Sequence, residues 1–96
     1  MIDLGTRVRL ARKARLRRDP RSNKMMLLYP ERGLELGETA ADIAALCDGR
    51  TAAAIADELC ARYAGVARAR IEDDVLAFLR TLAEKGLLGG PGEETP

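Results

Sequence analysis

The sequence predicts an α+β domain, winged-helix-like, with a three-stranded antiparallel sheet followed by a three-helix bundle. Three observations carry that reading. The run Met25 to Leu36, MMLLYPERGLEL, is an apolar stretch, a Pro-Glu-Arg-Gly connection and a short alternating stretch, the pattern of two strands joined tightly. A briefer alternation, ARLRRD at Ala14 to Asp19, precedes it across a strong turn signal. Beyond Leu36, three stretches carry apolar residues at three- and four-residue spacing between helix start and stop signals. The order β-β-β-α-α-α suits a helix-turn-helix with an attached sheet.

Residues 1–13 have no sustained period and are expected to form a flexible basic N-terminal arm. From Ala14 to Asp19, Leu16 turns inward and Arg15 and Arg17 outward. Asp19-Pro20-Arg21-Ser22-Asn23 then reverses the chain, because Pro fixes φ and Asp and Asn bond the local backbone. Met25 to Tyr29 has bulky side chains on both faces and should lie centrally. Gly33 is the expected positive-φ residue of the connection. Leu34-Glu35-Leu36 alternates and has no later strand to pair with, so it is the expected free edge.

The first helix is expected to start at Thr39, a capping hydroxyl with Asp42 three positions on, and to stop at Asp48-Gly49. Ala40, Ile43, Ala44 and Cys47 share its apolar face. Thr51 caps a second helix in which Ile55, Leu59 and Tyr63 recur at four-residue spacing, with Gly65 as its stop. The third runs from around Ala67 to Ile71 as far as Gly86, with Ile71, Val75, Phe78, Leu79 and Leu82 on one stripe and Glu72-Asp73-Asp74 in its first half, where the helix dipole favours negative charge. Leu87 and Leu88 fold back as a last apolar contact. Residues 89–96, GGPGEETP, have the composition of a disordered tail, which leaves 14–88 as the folded domain.

Ninety-six residues make one small domain, able to bury roughly 60–65% of its unfolded surface. Only Tyr29, Tyr63 and Phe78 are aromatic, so the core is built from Leu, Ile, Val and Ala, which favours close-packed helices. Cys47 and Cys60 fall at apolar positions of helical patterns and read as buried thiols. With no secretory segment and no long apolar span, the chain is expected in the cytoplasm and off the membrane. The net charge of +1 hides a polarity: residues 1–30 hold nine basic side chains against Asp3 and Asp19, and the remainder seven against thirteen acidic ones. An anionic partner and a merely solvated basic arm both account for that asymmetry.

Catalytic chemistry is sparse. There is no histidine, hence neither the commonest general base nor the commonest metal ligand, and two cysteines thirteen apart are too few for a structural zinc site. Glu72, Asp73 and Asp74 are consecutive on a helix, so their carboxylates point apart and cannot converge on a cation. No phosphate-cradling glycine loop is present. No metal, cofactor or enzymatic activity is expected. A winged-helix nucleic-acid binder is the alternative, but the third helix would bring that acidic run against about one phosphate charge per 1.7 Å of duplex. A free edge strand suits a different ligand: an extended peptide that adds a strand, its main chain giving affinity and side pockets giving selectivity. The same edge would serve a strand-swapped homodimer.

Four landmarks, in order, are LLYPERGLEL, Thr39-Ala40, LCDGRT at Leu46 to Thr51, and DDVLAFLRTLAEKGLL at Asp73 to Leu88. Together they resemble the PqqD family, small proteins of pyrroloquinoline quinone (PQQ) biosynthesis, over about Ala14 to Leu88. The resemblance implies a three-stranded, three-helix winged-helix fold without cofactor, serving as a recognition element for ribosomally made, modified peptides. It further implies a non-catalytic peptide chaperone that binds the precursor peptide PqqA and presents it to the radical SAM enzyme PqqE, which joins a Glu to a Tyr in that peptide. The Tyr29-Pro30-Glu31 turn, the strand end at Leu36, Asp48-Gly49 and Asp74-Val75 match the family's pattern. The implied peptide position lies between the strand Gly33 to Leu36 and the third helix. There Gly33, Leu34, Glu35 and Leu36 would offer backbone partners, Phe78 apolar contact, and Arg70 and Asp74 charge complementarity. Gly37 stands where relatives often have Asn, which weakens the helix cap or shifts it to Thr39. The Arg-rich arm is not part of the family's pattern.

Overall fold

A computed structural model describes residues 2–30 and 32–89. The order is β1 (Arg7–Leu10), β2 (Arg15–Arg18), β3 (Met25–Tyr29), β4 (Arg32–Leu36), α1 (Glu38–Ala45), β5 (Asp48–Thr51), α2 (Ala52–Arg62), α3 (Arg68–Glu84) and β6 (Leu88–Gly89). The strands form two three-stranded antiparallel sheets, β2-β3-β4 and β5-β1-β6, and with three helices the fold is α+β. No helix among the described residues is long and apolar enough to cross a membrane.

The sheet read from the sequence is β2-β3-β4. Its central strand pairs Leu27 with Leu16 on one side and Leu34 on the other, and Leu27 is fully buried. Arg15 and Arg17 are exposed, as the alternation requires. The reversal at Asp19 closes through Asn23, whose φ of 61° is the non-glycine positive φ among the described residues, and Asp19 Oδ1 and Oδ2 accept from the Arg21 amide and the Ser22 hydroxyl. Such Asx bonding is why Asp and Asn occupy these positions.

The second sheet was not foreseen, and it corrects the expected arm. Within residues 1–13, Arg7–Leu10 form the middle strand of β5-β1-β6, with Val8 only 3% exposed in the main core. Further amides zip the segment down: Ala52 donates to Thr6 O, Ala53 to Leu4 O, Leu10 to Cys47 O and Ala11 to Leu87 O. The folded body therefore reaches well before residue 14. The expected α1 stop at Asp48-Gly49 is likewise corrected: α1 ends at Ala45, and Asp48–Thr51 become β5. Gly49, at φ 106°, takes a conformation that L side chains avoid. Leu88 and Gly89 supply β6; residues 90–96 of the expected tail lie outside the described residues.

Helix boundaries follow the sequence more closely. Thr51 caps α2, its Oγ1 accepting from the Ala54 amide at 3.1 Å. Ile55 and Leu59 are fully buried and Tyr63 half-buried at the C-cap. In α3, Ile71, Val75, Leu79 and Leu82 are buried, and the helix stops at Gly86 with φ 71°. Thr39 is not a cap: α1 starts one residue earlier, with Gly37 at the N-cap and no side-chain cap bond. Two apolar clusters result. One joins α1, α2 and α3 with Val8; the other joins Leu27 and Leu36 of the first sheet to Ala44, Leu82 and Leu87.

Candidate functional site

The strand order leaves β4 outermost, paired only with β3 among the described strands. The register decides which of its backbone groups face outward. Tyr29 pairs with Arg32 across a two-residue connection, so that pair is the one that exchanges its own bonds, and hydrogen-bonded pairs then alternate along the ladder. Leu27–Leu34 and Met25–Leu36 are bonded pairs, while Gly33 and Glu35 turn their N–H and C=O groups to the vacant side. The free edge thus presents two donors and two acceptors, all from Gly33 and Glu35. Leu34 and Leu36 spend theirs on β3.

Side chains alternate the other way. Leu36 is buried and Leu34 half-buried on the core face, while Gly33 and Glu35 stand on the outer face beside Met26 and Leu28. Gly33 does not have the positive φ expected of it; it is a strand residue. A Cβ there would lie 2.9 Å from Leu28 Cδ2 and 3.2 Å from Met26 Cε, so a larger residue would push aside the ends of those two flexible side chains. Glu35 pairs with Lys24 at 3.1 Å, both more than half exposed, a contact worth little in water.

Across the core face, β4 reaches α3 through the second apolar cluster, which Leu34, Ala40 and Phe78 all pack against. Phe78 is half-buried and serves both as core and as groove wall. The groove itself has α1 as its second wall: Thr39, Ala40 and Ile43 face Asp74, Ala77, Phe78 and Thr81. Of the seven residues singled out from the sequence, Asp74 and Phe78 line this groove and Arg70 lies one turn further along α3. Gly33 and Glu35 form the open edge, and Leu34 and Leu36 supply the apolar face below it. Glu35 and Leu36 also border a separate cleft between the sheet's far end and α1, with Leu16, Met25 and Ala41. The sequence reading missed the α1 wall. Thr39-Ala40 was available as a landmark, but a threonine before an apolar run reads first as a cap.

The groove continues past Thr39 and Asp74 into a cavity of about 270 Å³ lined by Leu59, Tyr63, Val66, Arg70 and Ile71. Arg70 and Asp74 form an exposed i,i+4 pair at 3.6 Å on its rim. The Tyr63 hydroxyl donates to Asp42 Oδ2, and Arg62 Nη1 stands 3.5 Å from Asp42 Oδ1. That hydrogen bond is the main reason the Tyr63 phenol is held above its usual pKa, since it favours the protonated ring oxygen. Cys60 is half-buried, not fully buried as expected, whereas burial, aided by the charge of Asp48, pushes the Cys47 thiol up to about 12. Among the described residues no group of three His, Cys, Asp or Glu side chains converges on a metal position.

A family model described as Coenzyme PQQ synthesis protein D (PqqD) matches residues 24–88. A protein of Rhodopseudomonas palustris named PqqA binding protein is 47% identical over 88 residues, 91% of this chain and 85% of that one. Another PqqA binding protein, from Bradyrhizobium diazoefficiens, is 38% identical over 95 residues, 98% of this chain and 91% of its own. Among solved structures, the solution structure of the PqqD truncation of Methylobacterium extorquens PqqCD, a stand-alone recognition element for ribosomally synthesised and post-translationally modified peptides, superposes with a TM-score of 0.79 at 38% identity, covering 94% of this chain and 96% of that one. TbiB1 in complex with the TbiA(β) leader peptide superposes with a TM-score of 0.72 at 28% identity, covering 85% of this chain and 95% of that one.

Proposed function

This chain belongs to the PqqD family, and from that premise we propose that it is a non-catalytic peptide chaperone of PQQ biosynthesis, which binds the precursor peptide PqqA as an added strand on β4 and presents it to the radical SAM enzyme PqqE. The observation that carries the reading is the vacant edge of β4, where Gly33 and Glu35 turn two N–H and two C=O groups outward, on a sheet whose Leu34 packs against the same apolar cluster as Ala40 and Phe78 of the α1–α3 groove. Supporting it are relatives named for binding PqqA and a structural neighbour solved with a leader peptide.

Magnitudes indicate how the two parts share the work. Four backbone bonds at about 1 kcal/mol net contribute about 4 kcal/mol. Ordering roughly four residues of a disordered guest costs about 4–8 kcal/mol. The ladder alone therefore sets direction and register without holding the peptide, and apolar burial at about 25 cal/mol per Å² must supply the surplus. The α3 groove is where that burial is available.

Isothermal titration with PqqA tests the proposal. The expected result is saturable one-to-one binding that changes little between low and moderate salt. Absence of PqqA binding, together with retention on duplex DNA that falls steeply with salt, would favour the nucleic-acid alternative.

A further inference from the structure

We infer that the cavity between the C-terminal end of α2 and the first turns of α3 is a second recognition pocket for the same guest, taking one large apolar side chain from outside the strand-paired segment. The inference rests on the peptide-binding reading above. Its first support is continuity: Thr39 and Asp74 line both this cavity and the α1–α3 groove, so a chain leaving the β4 edge past Phe78 runs into it. Its second is chemistry. Leu59 and Ile71 floor the cavity, and Val66, 45% exposed, is one of the two large apolar side chains left in water among the described residues.

The walls are held before any guest arrives. Tyr63 is tied to Asp42 through its hydroxyl, and Arg62 braces the same carboxylate. A guest side chain therefore meets a formed wall, which spares the cost of ordering it. The cavity of about 270 Å³ holds one Leu, Ile, Met or Phe side chain, not a helix or a second strand. The Arg70–Asp74 pair on its rim offers both a donor and an acceptor to whatever polar group flanks that side chain.

The geometry also fixes a spacing. From Phe78, which packs against the same apolar cluster as Leu34, back to Ile71 is about 10 Å at 1.5 Å per helical residue. Extended chain covers that in about three residues at roughly 3.3 Å each. The apolar anchor therefore sits about three or four residues from the end of the paired segment.

A double-mutant cycle tests this. PqqA is scanned with alanine against the wild-type chain and against Val66→Asp, with Val66→Ser as the milder partner and circular dichroism to verify the fold. Losing the burial of one large apolar side chain corresponds to about a tenfold to hundredfold rise in Kd. Expected is a loss of that order in Val66→Asp, and one apolar peptide position, at the stated spacing, whose alanine substitution no longer matters in the variant. Wild-type affinity in both Val66 variants, while a block at Glu35 still weakens binding, overturns the pocket and leaves the strand-addition reading standing. A uniform loss with no coupled peptide position overturns it equally. Failure of the wild-type chain to bind PqqA removes the premise and the pocket together.

Discussion

Replacing Glu35 by proline isolates the open edge from the rest of the fold. In the β3–β4 register the Glu35 N–H faces outward, so proline removes a group that a guest would use and none that β3 uses. Its neighbour Leu34 is already extended, as a residue before proline must be. The ion pair to Lys24 is lost as well, but both side chains are more than half exposed, so that loss costs at most about 1 kcal/mol and Glu35→Gln measures it separately. Against the guest, proline removes one hydrogen bond of about 1 kcal/mol and leaves a peptide carbonyl unpaired for about 1–3 kcal/mol more. The expected sum, about 2–4 kcal/mol, is about a thirtyfold to thousandfold weakening in Kd. Calorimetric titration with PqqA reads that value, with thermal melting to show that Glu35→Pro stays folded. Leu34→Pro is the contrast: its N–H bonds β3, so it should lower the melting temperature sharply. A folded Glu35→Pro variant that binds PqqA like wild type would refute the strand-addition reading.

The N-terminal strand predicts that Val8→Ala, which empties a 3%-exposed core position, destabilises the whole domain by about 1–3 kcal/mol, seen as a fall of several degrees in melting temperature; an unchanged melt would restore a free arm. Cys60, half-buried, should react with a thiol reagent in the native state at pH 8 while Cys47, pushed up to about 12, reacts only on unfolding; two fast thiols would contradict its burial. Asp48 is held down at about 2, first by the hydrogen bond from Arg50, against 3.8 when unfolded. A folded-state pKa below the unfolded one contributes stability above pH 3.8 that is lost as pH falls toward 2, so Asp48→Asn should flatten the acid side of the stability curve in that window. Equal acid slopes in the two proteins would rule the pair out as its source.

The hairpin from Met25 to Leu36 was legible because an apolar run and a short alternating run flank a Pro-containing connection, although Arg32 and Gly33, read as part of that connection, pair as strand, and the α3 stripe because four of its apolar positions are buried at helical spacing. β1 was not, since RVRL offers only four residues of alternation inside a run of arginines, and its pairing partners lie some forty and eighty positions away. DGRT, β5, was hidden for the opposite reason: Asp-Gly reads as a helix stop, and only the distant β1 makes it a strand. Of the site, the free edge and the α3 flank could be read from spacing. The α1 wall could not, because whether Thr39 caps a helix or lines a groove depends on where Gly37 ends β4, a boundary that side-chain preference does not fix.

Amide hydrogen exchange at Gly33 and Glu35, followed with and without PqqA, addresses the vacant edge directly. In the peptide-free chain both amides should exchange quickly while Leu34 and Leu36, bonded to β3, are protected; adding PqqA should protect Gly33 and Glu35 selectively. Protection of those two amides before any peptide is added, or protection gained instead along β2 at Leu16 and Arg18, would contradict the assignment of β4 as the strand that receives the guest.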